Sequence, residues 1–351
     1  MEAPISFSGI VSQFLTFSPF LIALIYLFSA ARKRKSIAGA NQNKNECCDV
    51  VDKSSCCALC GKAEIGEVKL VPCDDCDLVR YCSDECKKDH KSEHEEECKK
   101  RASELRDELL FKQPESSHLG DCPLCFLPLS LDIKKSVMYT CCCTIICGGC
   151  TQANAIRDKE ERLQRKCSFC REPVAKTDKE NDERRMKRIE ANDPVAMSEE
   201  GACCYNKGEY STAFEYYKKA AALGNAGAHN RLARLYRDGE GVEMDKGKEI
   251  HHPEEAAIGG HAGARYDLGH EEWKRGNFER AVKHLIIAAT QGNNDAIKVL
   301  MIAFKCGFMK KEDLAAALRA HQAAVDETKS PQREVAEVLL SKYRSLESET
   351  S

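Results

Sequence analysis

The chain opens on an apolar run. From Ala3 to Ala31 there is no charged residue, and Phe14–Ala31 is mostly apolar. Eighteen helical residues span about 27 Å, close to the hydrocarbon thickness of a bilayer, so the pattern predicts a membrane-crossing helix over 14–31. Pro19 falls near its start, where a missing N–H costs least. Arg32-Lys33-Arg34-Lys35 follows at once, and basic flanks stay on the cytosolic side. A cleaved signal peptide would carry its positive charges before the apolar run. The expectation is a single-pass membrane protein whose folded body faces the cytosol. A polar linker over 32–56 joins that body to the anchor.

Beyond the linker the pattern changes twice. Over 57–170 apolar residues are too sparse to build a core, with 99–121 read as a linker and 174–192 as a charge-dense connector. From 193 a regular period sets in. The strings Gly224-Asn225-Ala226-Gly227-Ala228, Gly260-His261-Ala262-Gly263-Ala264 and Gly292-Asn293-Asn294-Asp295-Ala296 recur 36 and then 32 residues apart, each after an alanine-rich segment. Such a period predicts an α-solenoid of helix pairs, in about four units over 193–226, 227–262, 263–294 and 295–328. Ala221, Ala256 and Ala288 would let the helices approach closely. In the second unit Pro253 is expected to kink or break a helix, and His251 and His252 to be an exposed pair. Residues 329–351 read as a tail. The fold class expected is mainly α, with two small metal-built modules between the membrane helix and the solenoid.

Composition supplies the chemistry. The chain has 22 cysteines, most of them in two blocks. The first block is Cys57-x2-Cys60, Cys73-x2-Cys76, Cys82-x3-Cys86 and His94-x3-Cys98. The second is Cys122-x2-Cys125, a pair from Cys141-Cys142-Cys143, then Cys147-x2-Cys150 and Cys167-x2-Cys170. Two residues between cysteines let both sulfurs reach one ion, and zinc takes four soft or borderline ligands in a tetrahedron. Eight ligands per block mean two Zn2+ per block and four in all. In the run of three, Cys141 and Cys142 are preferred and Cys143 is the alternate. Disulfides are the rival use of cysteine, but secreted frameworks rarely string together C-x2-C pairs. A net charge of −3 with no dense basic helix argues against nucleic acid as a partner, and 31% charged residues suit two or three modules.

The first block, with Tyr81-Cys82-Ser83 inside it, resembles the MYND zinc finger throughout residues 57–98. That resemblance implies one zinc on Cys57, Cys60, Cys82 and Cys86 and another on Cys73, Cys76, His94 and Cys98. Members of that family bind extended peptides partly through an aromatic residue three positions before the histidine. Lys91 stands there, so peptide binding of the family type is not implied. The neighbouring His90 reads as a solvated histidine.

Residues 122–173 resemble a RING finger of the all-cysteine kind. The resemblance implies cross-bracing, with Cys122, Cys125, Cys147 and Cys150 on one zinc. It also implies that a ubiquitin-conjugating enzyme would pack on Leu124, and that Arg171 would orient its conjugate. Ser168 departs from the proline usual in ligases. The insertion after Cys150 is long, charged and expected to be helical. The pattern Leu232, Leu235, Tyr236, Gly239, Gly241, Val242 and Asp245 is similar to a Sel1-like repeat, which implies protein partners. Together these features suggest a membrane-anchored adaptor, with a RING-type ubiquitin ligase as the leading activity. The alternative is a non-catalytic scaffold that organises a complex at a membrane.

Overall fold

A computed structural model describes residues 56–64 and 69–339. The expected membrane helix over 14–31 lies outside the described residues, as do all but Cys56 of the first linker and residues 340–351 of the tail. Among the described residues no helix is long and apolar enough to cross a membrane.

The first finger is nearly all loop. Strand β1 (Val71–Pro72) pairs antiparallel with β2 (Arg80–Tyr81), in register Val71 to Tyr81. Helix α1 (Asp84–Asp89) starts at Ser83, whose hydroxyl accepts from the Cys86 N–H. Helix α2 (Lys91–Leu110) then runs for 20 residues and buries only His94 and Leu110. Residues 99–110, expected as linker, are therefore helix. The helix lacks an apolar stripe because its first turns are organised by His94 and Cys98 and its last by contacts with the distant repeats.

The second finger is a hairpin and a helix. Strands β3 (Ser136–Tyr139) and β4 (Thr144–Cys147) pair antiparallel, placing the three-cysteine run in the connecting turn. Helix α3 (Gly148–Glu160) accounts for most of the charged insertion. Helix α4 (Asp178–Glu190) replaces most of the expected connector. Its one buried residue is Arg185, paired with Glu200 at 2.6 Å and Asp182 at 2.5 Å, while Asn181 accepts from Thr140 in the finger at 2.8 Å. A charged segment becomes a rigid joint when its arginine finds carboxylates on both sides.

Eight helices follow as four consecutive pairs: α5 (Pro194–Asn206) with α6 (Tyr210–Ala222), and α7 (Ala226–Asp238) with α8 (Lys246–Ile258). Then come α9 (Ala262–Lys274) with α10 (Phe278–Thr290), and α11 (Asn294–Lys305) with α12 (Lys311–Glu327). The recurring strings are the turns between pairs. Gly224, Gly260 and Gly292 adopt φ of 82°, 81° and 88°. The next residue, Asn225, His261 or Asn293, caps the following helix by accepting from the N–H of Ala228, Ala264 or Ala296. The core is alanine against leucine: Ala213, Ala256, Ala264, Ala281 and Ala288 are fully buried, as are Leu285 and Leu300. These small residues let the helices lie close enough for the leucines to interlock.

Two expectations for the second unit need correction. Helix α8 is not broken at Pro253 but continues through it to Ile258. Ala256 and Ala257 are wholly buried just beyond it, so packing holds the helical path despite the missing N–H. His252 is not exposed, but stacks on Tyr236 and meets His229 at 3.0 Å between the Nδ1 atoms, leaving only His251 in solvent. A short helix over residues 331–339 completes the described chain, so part of the expected tail is ordered structure.

The segment from Arg106 to His118 lies against the repeats. Arg106 forms ion pairs with Glu254 at 2.9 Å and Glu255 at 2.8 Å, and Asp107 pairs with Arg280. Arg265 is completely buried and donates to the carbonyls of Leu110 and Ala257, at the C-terminal ends of α2 and α8. The negative poles of two helices thus stand in for a carboxylate partner. Burial still holds the guanidinium down at about 10.

Candidate metal centres

Among the described residues potential ligand atoms gather into four groups, with the atoms of each group within 4.8 Å of one another. They are Cys57, Cys60, Cys82 and Cys86; Cys73, Cys76, His94 and Cys98; Cys122, Cys125, Cys147 and Cys150; and Cys141, Cys142, Cys167 and Cys170. Each finger is cross-braced, since its first and third pairs meet and its second and fourth pairs meet. Contacts inside the groups are close: Cys60 to Cys82 at 3.5 Å, Cys76 Sγ to His94 Nε2 at 3.1 Å, Cys125 to Cys147 at 3.7 Å, and Cys141 to Cys170 at 3.3 Å. Of the three adjacent cysteines, Cys143 stays apart. Its backbone turns through φ 50°, and its buried thiol faces the Thr140 carbonyl instead.

One local geometry builds four of these pairs. After Cys57-x2-Cys60, Cys73-x2-Cys76, Cys122-x2-Cys125 and Cys167-x2-Cys170, the next residue turns left-handed: Gly61 at φ 70°, Asp77 at 56°, Phe126 at 57° and Arg171 at 66°. Its N–H donates back to the carbonyl of the first cysteine, at 2.9, 3.0, 2.8 and 3.1 Å respectively. Three of the four are not glycine, so the turn carries backbone strain. What the strain achieves is two sulfurs side by side. Three of the other pairs use helices, with Cys86 on α1, His94 and Cys98 one turn apart on α2, and the Cys147 sulfur capping α3 by accepting from the Cys150 N–H at 3.4 Å. Cys141 and Cys142 sit in the turn of the β3–β4 hairpin.

The electrostatics match a dication. Burial pushes the Cys57 thiol up, but the N–H groups of Cys60, Cys82 and Leu59 outweigh it and hold it at about 6. At Cys122 burial is likewise overcome, by the N–H groups of Cys147, Leu124 and Cys125, leaving about 7. In the first cluster Cys82, hydrogen-bonded to the Cys60 sulfur, is driven up to about 12. One thiolate forms easily and the next resists, until a cation takes the place of the shared proton. The donors are soft sulfur with one imidazole, the set zinc prefers, and they suffice for four zinc ions.

The family comparison fits this geometry, matching residues 57–98 to the MYND finger family. Residues 57–98 are a MYND finger. Elsewhere the likenesses are partial. Over 88 residues the chain is 33% identical to chitin synthase regulatory factor 4 of Schizosaccharomyces pombe, a stretch covering 25% of this chain and 14% of that protein. A Sel1 repeat protein from Oxalobacter formigenes aligns at 25% identity over 43% of this chain and 66% of that one, with a TM-score of 0.37. The Escherichia coli protective antigen c5321, with an SLR fold, aligns at 22% identity over 55% and 40%, with a TM-score of 0.36. The helix pairing described above rests on this chain's own packing.

Around the MYND finger, His90 is not a solvated histidine. Its Nδ1 lies 3.1 Å from the Tyr81 hydroxyl, and its ring stacks 5.7 Å from that of His94. It braces a residue of the second cluster. In the second finger Leu124 is 38% exposed and Phe126, on the strained knuckle residue, is 77% exposed. The Arg171 guanidinium donates to Asn154 Oδ1 at 2.7 Å, and Arg157 donates to the same oxygen at 3.0 Å. Neither Phe126 nor Asn154 stood out in the sequence. A left-handed φ on an aromatic residue and a shared acceptor become visible only in the fold. Ser168, buried, shares a hydrogen bond with the Tyr139 hydroxyl at 3.3 Å.

Proposed function

We propose that the chain is a membrane-anchored adaptor whose second finger works as a RING-type ubiquitin ligase module. The sixteen cysteine and histidine residues of the four clusters are its zinc ligands, and residues 14–31 are its anchor, with the fingers facing the cytosol. The observation that carries the ligase reading is the apolar surface of the first knuckle of the second finger, where Leu124 and Phe126 are exposed beside a metal cluster. An apolar side chain on a rigid metal-pinned loop is a suitable anchor for a partner. The conjugating enzyme would pack there. The chemistry would remain on its thioester, and the finger would contribute orientation. Arg171 would contact the conjugate after exchanging its Asn154 partner, and the repeats would bind the substrate. The partial relative's name, a regulatory factor, agrees with an adaptor.

The test is a ubiquitin-discharge assay on the zinc-loaded full-length chain in detergent with a panel of conjugating enzymes. Leu124→Ala should weaken enzyme binding by about 1–3 kcal/mol with zinc content unchanged. Arg171→Ala should slow transfer more than binding. Cys167→Ala should lose a zinc ion. No discharge by the wild type with any enzyme, while all four zinc ions are bound, ends the ligase reading. The second reading, a scaffold without catalysis, would then stand. Ion pairs from Arg106 on α2 to Glu254 and Glu255, and the link from the second finger through Thr140–Asn181 to α4 and on by Arg185–Glu200, connect the fingers to the repeats, as a scaffold requires. For the anchor, a reporter placed after Lys35 should resist carbonate extraction and face the cytosol. A soluble cleaved product would refute it.

A further inference from the structure

The third cluster has a partner from the far end of the chain. Its sulfurs are served by different donors. Cys122 Sγ accepts from the Cys147 N–H at 3.5 Å, and Cys147 Sγ accepts from the Cys150 N–H at 3.4 Å, both within the finger. Cys125 Sγ accepts from Arg333 Nη2 at 3.2 Å, across 208 residues. The same guanidinium donates to the carbonyls of Leu127 at 3.0 Å and Pro128 at 2.6 Å, and to that of Thr328 on its own side at 2.8 Å. One side chain thus grips a ligand sulfur and the backbone of the loop that follows it.

Two further features fit this docking. Gly149, at the start of α3, leaves room for it: a Cβ there would lie 2.9 Å from Arg333 Cγ and 3.0 Å from its backbone nitrogen. Lys135 in the finger pairs with Glu337 at 2.9 Å, one turn farther along the same terminal helix. The contact is therefore an interface with a keyed arginine, formed between the finger and the segment that follows the last repeat.

We infer that Arg333 is a positioning residue of the third zinc centre, an outer partner of the Cys125 thiolate that couples this centre and the 124–128 loop to the end of the repeat array. A charge-assisted N–H to a ligand sulfur stabilises the thiolate and fixes its direction. The 124–128 loop carries Leu124 and Phe126, so the same arginine also holds the backbone beside that exposed surface. The inference rests on zinc at this cluster and not on ligase activity, and its test reads the metal directly.

The full-length chain in detergent is loaded with zinc, or with 113Cd for NMR. In Arg333→Ala one of the four zinc ions should bind about 10- to 100-fold more weakly in competition with a chromogenic chelator, with the other three unchanged. One of the four 113Cd resonances should move. Gly149→Ala keeps the guanidinium but pushes the Arg333 backbone and Cγ off the finger, and alanine favours the helix, so the same resonance should move without loss of the finger. It also decides the matter if Arg333→Ala fails to fold. Glu337→Ala removes a docking ion pair without touching the sulfur and should leave all four resonances in place. Unchanged zinc release and cadmium spectra in both Arg333→Ala and Gly149→Ala would overturn the inference. So would a Glu337→Ala spectrum shifted as far as that of Arg333→Ala, because docking alone would then explain the effect.

Discussion

The fingers and the repeats solve one problem in opposite ways. Among its described residues the MYND finger buries Cys57, Leu70, Cys73, Cys76, Tyr81 and His94, so most of its interior is ligand. The repeats bury alanine and leucine from consecutive helices, together with His284. Where a chain segment is too short and polar for a core, a metal replaces it. Where short helices repeat, each pair supplies the wall the next pair needs. Stability in the first region should follow metal and thiolate chemistry, and in the second apolar packing.

Metal removal should separate the regions most sharply. Structural zinc contributes on the order of 10–16 kcal/mol to small fingers, so chelation should unfold both fingers. The repeats should keep their helical circular dichroism, and loss of that signal on chelation would break the distinction. Acid should then act on the repeats alone. Burial holds His261 and His284 down at about 3 and His252 at about 4, against a usual value near 6.5. Between those limits the unfolded chain binds more protons than the folded one. The stability is therefore fully present above about pH 6.5 and lost progressively as pH falls through about 4 toward about 3. Melting of the chelated protein followed by circular dichroism should show a midpoint that drops across this window, and a flat profile would refute neutral burial.

A core substitution comes next. Leu285→Ala should cost the repeats about 2–5 kcal/mol in denaturant unfolding and leave zinc content at four ions. The smallest expected effect lies at the joint between the regions. Arg106 and Glu254 are 31% and 20% exposed, so a double-mutant cycle on the pair should return about 1 kcal/mol or less. A larger coupling would mean that the finger and the repeats fold as one unit.

Legibility in the sequence followed the range of the interaction. The C-x2-C pairs are local, and their knuckles close within five residues, so spacing alone located them. The turns at Gly224, Gly260 and Gly292 were legible for the same reason. Helix α2 beyond residue 98 and helix α4 were not, because neither shows an apolar face. Their hold is polar, through Arg106, Asp107 and Arg185 to residues remote in the sequence.

The sequence by itself determined the ligand types, their number and their pairing in short turns, along with the helical period of the repeats, because these depend on neighbours within about one turn of chain. Only the tertiary structure decided that Cys141 and Cys142 join Cys167 and Cys170 while Cys143 turns away. It alone carried α8 through Pro253, buried Arg265 under two helix ends and brought Arg333 to Cys125. Each of those outcomes depends on which distant group can supply a charge, a carbonyl or a close-packed wall, and local pattern does not encode that partner.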